Sequence, residues 1–549
     1  MTQAKNYGYP LFLSMLCFIA GLGQLWAEPF SIIPAGDPII EDIRFVTRES
    51  GMSFRSLTPP FSRDEVQQIL DSIDPSALSA AAQEAYIRIQ NKLHPQTIIS
   101  DSLFSFSVHI TAAAEGRLRT NAAIPWTQGD TASPFMLSIP LNFYFANRVQ
   151  LNLEPILAAD PSFYETDGSW GTNIPYKIER IDMNMPLRGF FAAGGAWWNF
   201  QLGRDRLSFG AGRTGNLVIS DTPDYYDFVR TAFFSPHFKY SILISQMPLS
   251  LANMNIDKTK YAITDKTVTE TVQRYIYVHR MDIKPLKNVS VALTEGLMVG
   301  NAPLELRYLN PFAIFHNFFP WQDYDSWAAG YDMTGSIFSC DVEWTIIPSL
   351  AVYGQFVLNE FSTSYELARW PDTQPPNALG YLAGIEYLRG FTGWRAVFYG
   401  EFVYTDPYLY VNNSPFASYI WMRRLSDITS KDLRYQWIGY PDGRDALVFA
   451  AGSSFFKEDR AFSVDLAFIR KGEHTIRWDW GIGTPYTDER TPTGTAENKL
   501  TATIKGMWKP LSWITLSGTI AGSMIFDMGH TKGTNAYGLE TILSLALTY

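Results

Sequence analysis

Read in steps of two, residues 539 to 549 separate into two faces. Leu539, Thr541, Leu543, Leu545, Leu547 and Tyr549 form one, and Glu540, Ile542, Ser544, Ala546 and Thr548 form the other. Successive side chains of a pleated strand point to opposite sides, so this period predicts a β-strand with a greasy face and a small or polar face. The period first appears at Phe104, Phe106, Val108 and Ile110, which alternate with Ser105, Ser107, His109 and Thr111. It recurs at Phe135, Leu137, Ile139, Leu141, Phe143 and Phe145, set against Met136, Ser138, Pro140, Asn142 and Tyr144. Ala146-Asn147-Arg148 then reads as a tight turn, and 149–153 as the returning arm of a hairpin.

The same grammar returns with proline at the turn, as Lys284-Pro285-Leu286-Lys287-Asn288, Ile347-Pro348-Ser349 and Lys509-Pro510-Leu511-Ser512. Proline fixes φ and donates nothing to a ladder, so turns are its expected place. Longer polar or aromatic connections lie between, over 255–271, 317–329, 368–377, 405–414 and 484–499. Short turns alternating with long loops predict an all-β transmembrane antiparallel barrel, short turns periplasmic and long loops outside. Segments of about ten residues number roughly 18, uncertain by about two, and the count should be even. No fixed repeat of a soluble β-helix or propeller is found.

Ahead of the strands the period is helical. Asp37 followed by Pro38 predicts an N-cap and first helical residue, Ile39, Ile40, Ile43 and Val46 an apolar stripe, and Gly51 a stop. A second helix should begin at Ser62 with Glu65 closing a capping box, and a third should run roughly over 78–93. About sixty residues of helix make little independent core. The expectation is that they pack against the periplasmic end of the barrel or into its mouth, the sharper alternative being a module for a periplasmic partner.

Composition sharpens this. Of 549 residues, 46% are hydrophobic, 15% aromatic and 18% charged. Few charges and many aromatics suit a lipid-facing band with aromatic girdles around a polar lumen. A net charge of −10 gives no basic footprint for nucleic acid. Lys5, the apolar stretch 11–22 and Leu25-Trp26-Ala27 read as a signal peptide over 1–27, too short in its core to span a bilayer. A periplasmic helical region over 28–100 and a barrel over 101–549 follow. Cys17 has poor neighbours for lipidation, which leaves Cys340 alone in the mature chain and no internal disulfide. No run of 18 apolar residues predicts a membrane helix.

Three stretches resemble the capsule-assembly Wzi family of outer-membrane barrels. The first is Gly36-Asp37-Pro38 after Pro34-Ala35, with Ile43 and Gly51. The second runs from Phe200-Gln201-Leu202-Gly203-Arg204 through Gly210, Gly212 and Gly215 to Leu217-Val218-Ile219-Ser220. The third is Arg307-Tyr308-Leu309-Asn310-Pro311 with His316-Asn317, then Tyr353-Gly354-Gln355-Phe356 and Glu360. Phe209 stands where that family usually has tryptophan, and the C-terminal third matches weakly. The resemblance implies an 18-stranded barrel with a periplasmic helical bundle, holding exported polysaccharide at the cell surface as a lectin rather than an enzyme. The lipid bilayer and the barrel-assembly machinery, through the C-terminal strand, are the other implied partners.

Candidate ligand contacts are of two kinds. Trp321, Asp323, Tyr324 and Trp327 lie in one loop, where aromatic faces suit sugar C–H surfaces and a carboxylate suits hydroxyls; girdle residues at the membrane interface would look the same. Arg204, Arg206 and Arg213 surround the glycine-rich turn and would pair with acidic sugars bidentately, or with luminal acids such as Asp205. His316 has no second ligand at metal spacing. No Ser, His and acid grouping suggests a triad, and the glycines lack the Lys-Ser or Lys-Thr of a phosphate loop. No cofactor and no enzyme activity is expected. The alternative to polysaccharide anchoring is a porin or diffusion channel, closed only if loops turn inward.

Overall fold

A computed structural model describes residues 29–54, 56–94, 99–100, 103–129, 132–160, 168–183, 187–251, 271–300, 303–312, 315, 334–371, 374–391, 393–411, 415–425, 433–476 and 487–549. Most of them form one large antiparallel sheet. Gly189–Gly195, Trp198–Asp205, Tyr226–Ser235, Phe238–Gln246, Arg274–Leu286, Val289–Gly300, Thr334–Ile347, Leu350–Glu360, Ala378–Phe391, Trp394–Thr405, Ala446–Lys457, Arg460–Lys471, Glu497–Leu511, Ile514–Phe526 and Ala536–Thr548 each pair with the next. Ala536–Thr548 then pairs with Thr111–Arg119, from Glu540↔Arg119 to Thr548↔Thr111. Thr111 and Ala112 in turn face Ser138 and Leu137. Phe104–Val108 pairs with Leu141–Phe145, that strand with Val149–Leu153, and Val149–Leu153 with Gly189–Gly195.

The alternation places the side chains as expected. Leu543 is 66% exposed and Leu539 57%, whereas Glu540 and Ile542 between them are 5% and 3% exposed. Ile542, the apolar exception on the polar face, is therefore an inward residue. Trp508, Trp513 and Tyr549 are exposed at the short-turn end of the sheet and Tyr537 at the other, which is how aromatic girdles border a lipid-facing band. Leu543 lies opposite Gly518 on one side and Gly116 on the other, near mid-strand. Leu543→Arg should cost about 2–4 kcal/mol of stability, the range for arginine at the lipid midplane. Reversible urea unfolding in lipid vesicles measures it, with Thr548→Arg, at the strand end, losing much less.

The predicted turn at 146–148 forms, with Ala146 and Asn147 both at positive φ. Pro348 sits in its turn, but Pro285 and Pro510 lie just inside strand ends, where the register shifts between Ile283 and Leu286 and between Trp508 and Leu511. A bulge frees the position from the ladder, so a residue without an N–H is tolerated there.

Three helices precede the sheet: α1 (Ile39–Glu49), α2 (Arg63–Leu70) and α3 (Ala80–Leu93). Helix α1 begins one residue later than the sequence suggests, yet Asp37 Oδ1 still accepts from the Ile39 N–H at 3.0 Å. Gly51, at φ +68°, ends it as expected. Ser62 caps α2 by accepting from the Glu65 N–H at 3.3 Å, but the capping box is not closed. The Glu65 carboxylate is instead taken by Lys239 of the sheet, Nζ to Oε1 2.7 Å. The bundle shares one apolar core with the wall, in which Ile43, Val46, Val66, Leu70, Ala85 and Ile89 meet Leu388 and Val397. A Cβ on Gly390 would lie 2.7 Å from Ser79 Oγ and 2.9 Å from Ala81 Cβ, so only glycine lets α3 approach that strand so closely. The bundle sits at the short-turn end: the Ser53 N–H donates to the Lys287 carbonyl and the Ser349 N–H to the Arg48 carbonyl.

Candidate functional site

Two stretches without period two turn inward and fill the sheet's inner face. The first, 206–225, brings Leu207, Phe209, Leu217, Val218 and Ile219 into a core with Phe228, Leu243, Ile276, Met298, Ile337, Tyr353, Val357, Leu382, Val403 and Val448. Those wall residues come from nine successive paired strands, so the loop lies across the interior rather than along one edge. Gln355 clamps it: its Oε1 accepts from the Leu217 N–H and its Nε2 donates to the Phe209 carbonyl, both at 2.9 Å. Paired on both ends, a buried amide contributes fixed geometry rather than an unsatisfied cost.

The second stretch comprises the described parts of 406–445, including the hairpin of Ile420–Arg424 with Leu433–Trp437. Tyr410 joins the two stretches, donating its hydroxyl to the Leu217 carbonyl at 2.7 Å and accepting from the Tyr440 N–H at 3.0 Å. Gly215, at φ +145°, has no room for a side chain, since a Cβ would meet Pro441 at 2.3 Å. Arg274 of the wall holds the second stretch by its backbone just ahead of the hairpin, and Arg423 of the hairpin holds the first stretch. Arg274 donates to the carbonyls of Met247 (2.9 Å), Ser418 (2.8 Å) and Phe416 (3.3 Å), and Arg423 pairs with Asp182 and, at 2.5 Å, with Asp224.

Where the first stretch meets α1, a cavity of about 270 Å³ opens between Gly36–Arg44 and 208–216. Asp37, Glu41, Arg44, Arg213, Asn216 and Asp221 supply its polar lining, with Pro59 and Phe61 on the apolar side. Arg213 Nη1 reaches Glu41 at 2.8 Å and its Nε reaches Glu386 of the wall at 2.5 Å, while Glu401 accepts from the Arg213 backbone N–H at 2.7 Å. Arg48 also pairs with Glu386, and with Glu343 at 3.4 Å; Arg44 lies 3.6 Å from Glu386. Burial works against the charge of Arg213, but Glu386 and Glu41 outweigh it and raise its pKa. Burial likewise pushes the Glu41 carboxyl up, and Arg213 and Arg44 together bring it below its ordinary value. Arg44 is lowered by burial and by Arg213 beside it. Two arginines and three carboxylates nearly balance, so the lining suits a hydroxylated neutral group or water better than an anion.

The end of the sheet away from the helices carries exposed aromatics. A short helix, Ser364–Arg369, joins Leu350–Glu360 to Ala378–Phe391 and is closed by a capping box between Thr363 and Glu366. Phe361, Tyr365 and Trp370 are exposed there, Tyr365 and Trp370 with centroids 6.4 Å apart and Arg369 5.3 Å from the Trp370 ring. In the chain's last third, Tyr408 donates to Glu489 at 2.8 Å and stacks edge-on with His474 at 5.3 Å. Among the described residues, no three His, Cys, Asp or Glu side chains converge as metal ligands.

The residues singled out from sequence are scattered. Trp321, Asp323, Tyr324, Trp327 and His316 lie outside the described residues. Arg204, Arg206 and Arg213 are not one cluster. Arg204 forms a bidentate pair with Asp227 (2.7 and 2.9 Å) and stacks on Tyr225, Arg206 donates to the Asp224 carbonyl, and only Arg213 lines the cavity. Asp205 pairs with Arg188 instead. Gly36, Asp37 and Pro38 do line the cavity opposite Arg213, so two stretches of the sequence resemblance meet there. Tyr308 is buried against Tyr277 and Phe315, in a 3₁₀ turn, Leu306–Leu309. Asn310 accepts from the Phe312 N–H at 3.1 Å, and the Pro311 carbonyl accepts from Tyr240. Sequence reasoning missed Glu41, Glu386 and Glu401, which lie 172, 173 and 188 residues from their common partner Arg213.

No family model and no curated protein matches this chain. Among solved structures it is similar to Wzi of Escherichia coli, an outer-membrane protein involved in group 1 capsule assembly and described as a carbohydrate-binding β-barrel. The TM-score is 0.59 at 14% identity, over 94% of this chain and 99% of that one. A loop-deletion form of OmpT, an outer-membrane protein of Vibrio cholerae, gives a TM-score of 0.35 at 8% identity, over 82% of this chain and all of that one. The outer-membrane channel DcaP of Acinetobacter baumannii gives 0.34 at 9%, over 83% of this chain and all of that one. The fold is that of an outer-membrane β-barrel and is shared with Wzi.

Proposed function

We propose that this chain is a closed outer-membrane barrel of about eighteen strands that binds or anchors surface polysaccharide in a lectin-like manner, with no catalytic step. The short-turn, helix-bearing end faces the periplasm and the aromatic-bearing end faces out; residues 1–27 are a removed leader, and the terminal strand is read by the barrel-assembly machinery. The return of the ladder from Ala536–Thr548 to Thr111–Arg119 supports closure. The observation that carries the functional reading is the filled interior. An apolar core tied to the wall by Gln355 and Arg274 leaves a rigid floor beneath exposed aromatics, which suits capture at the rim. The same core speaks against a porin. Wzi, which has this fold, is described as carbohydrate-binding.

The test uses the full-length protein in detergent on an array of bacterial surface polysaccharides. Retention of at least one glycan is expected, weakened about five- to tenfold by Trp370→Ala, which removes one stacking face. Tyr365→Ala should act in the same direction. Retention of none by folded protein would overturn the reading.

A further inference from the structure

Helix α1 presents Glu41 and Arg44, three residues apart and so on one face, to the cavity of about 270 Å³ that it shares with 208–216. The two are unequally satisfied. Among the described residues, the Glu41 carboxylate accepts a hydrogen bond from Arg213 at Oε2, and its side chain stays 33% exposed, leaving Oε1 open. Arg44 is 7% exposed, yet its Nε and Nη1 hydrogen-bond to nothing, Glu386 standing 3.6 Å from Nη1. A buried guanidinium with orphaned donors is costly, and native chains leave few of them. Arg48 and Arg213 already pair with Glu386, so anchoring the bundle does not require a third arginine. Arg44 therefore has donors to give to an oxygen from outside the chain, and Glu41 Oε1 is a matching acceptor.

The rest of the lining defines what carries that oxygen. Asp37, Glu41 and Asp221 against Arg44 and Arg213 leave one negative charge in excess, which disfavours an anion. Pro59 and Phe61 supply an apolar wall, and the exposed Gly36, Pro38 and Asp221 mark the mouth. A few placed polar groups beside an apolar wall suit a pyranose ring, which carries hydroxyls at its edge and C–H groups on its face. We infer that this cavity is a second saccharide site, taking one neutral hexose unit at the helical end of the molecule. Arg44 donates to its oxygens, Glu41 accepts from a hydroxyl, and a C–H face lies against Phe61. The site is separate from the exposed aromatics at the other end, and it stands whether or not those bind glycan.

The experiment uses full-length protein in a detergent without a sugar headgroup. D-glucose, D-galactose, D-mannose or D-glucuronate is added, and backbone hydrogen exchange is followed by mass spectrometry. At least one neutral hexose should slow exchange in 36–44 and 208–216 at millimolar concentration, and glucuronate should not. Arg44→Met removes the donors and keeps the volume; it should raise the concentration needed about tenfold, the loss for a hydrogen bond from a charged donor. Glu41→Ala should act in the same direction. Glu41 is part-exposed and Arg213 keeps Glu386, so this variant carries the test even if Arg44→Met fails to fold. Absence of slowing by every neutral hexose assigns the cavity to water and overturns the inference. Stronger slowing by glucuronate, or an unchanged concentration dependence in a folded variant, overturns it too. Slowing confined to 361–370 also overturns it, while leaving the proposed capture at the rim in place.

Discussion

Replacing Glu386 by glutamine should loosen the helical bundle from the wall at a cost of about 3–5 kcal/mol, the range for removing one partner of a buried ion pair. Glu386 is fully buried and serves Arg48, Arg213 and Arg44 at once. Glutamine keeps the shape but not the charge, so three guanidiniums would be left with Glu41 and Glu343 alone. The loss should exceed that of a surface pair, which contributes about 0–1 kcal/mol, because solvent cannot screen the orphaned cations. Urea unfolding of the reconstituted protein, together with protease sensitivity of residues 29–94, checks it. A second substitution, Arg48→Met, should recover part of the loss, since it removes one uncompensated charge and leaves volume in place. A loss below about 1 kcal/mol would mean that the apolar contacts around Ile43 and Leu388 hold the bundle unaided.

This dependence explains what the sequence could and could not reveal. The wall is a local pattern: each strand writes its own period, so Leu539, Leu543, Leu545 and Leu547 declare an outward face without reference to any neighbour. The helices are equally local, and Ser62 capping α2 was readable from four residues. The interior is not local. Leu217-Val218-Ile219 is an apolar run without period two in a loop, too greasy for water, and that mismatch was the available signal that the loop turns inward. Phe416 to Trp421 carried the same signal. What the interior is tied to cannot be read from the chain, because Gln355, Arg274 and Glu386 take partners more than a hundred residues away. Arg204, Arg206 and Arg213 looked like a group for the converse reason. Close spacing in sequence says nothing about direction once Gly210, at φ +138°, has turned the backbone between Arg206 and Arg213.

Removing the inward hairpin should open a conducting path through the filled interior. A variant with residues 420–437 replaced by a short Gly-Ser linker loses Ile420, Trp421, Met422 and Trp437 from the interior core, and with them the Arg423 pairs to Asp182 and Asp224. The wall ladder runs from Trp394–Thr405 directly to Ala446–Lys457 and does not use the hairpin, so the sheet keeps its hydrogen bonds. Asp182 and Asp224, freed of Arg423, then face water instead of protein, which hydrates the new opening, while Arg274 keeps its bonds to the Met247, Phe416 and Ser418 carbonyls. In planar bilayers the intact protein should give no large steady openings, and the variant should give them, since the lumen of the proposed barrel of roughly eighteen strands is wide enough to carry ions. The variant should also unfold at lower urea, since several large apolar side chains leave the core. If glycan capture depends on the rim alone it survives in this variant, and if it depends on the floor beneath the rim it disappears as conductance rises. Large steady openings in the unaltered protein would reverse the assignment, because a core this continuous leaves ions no wide path while it stays in place.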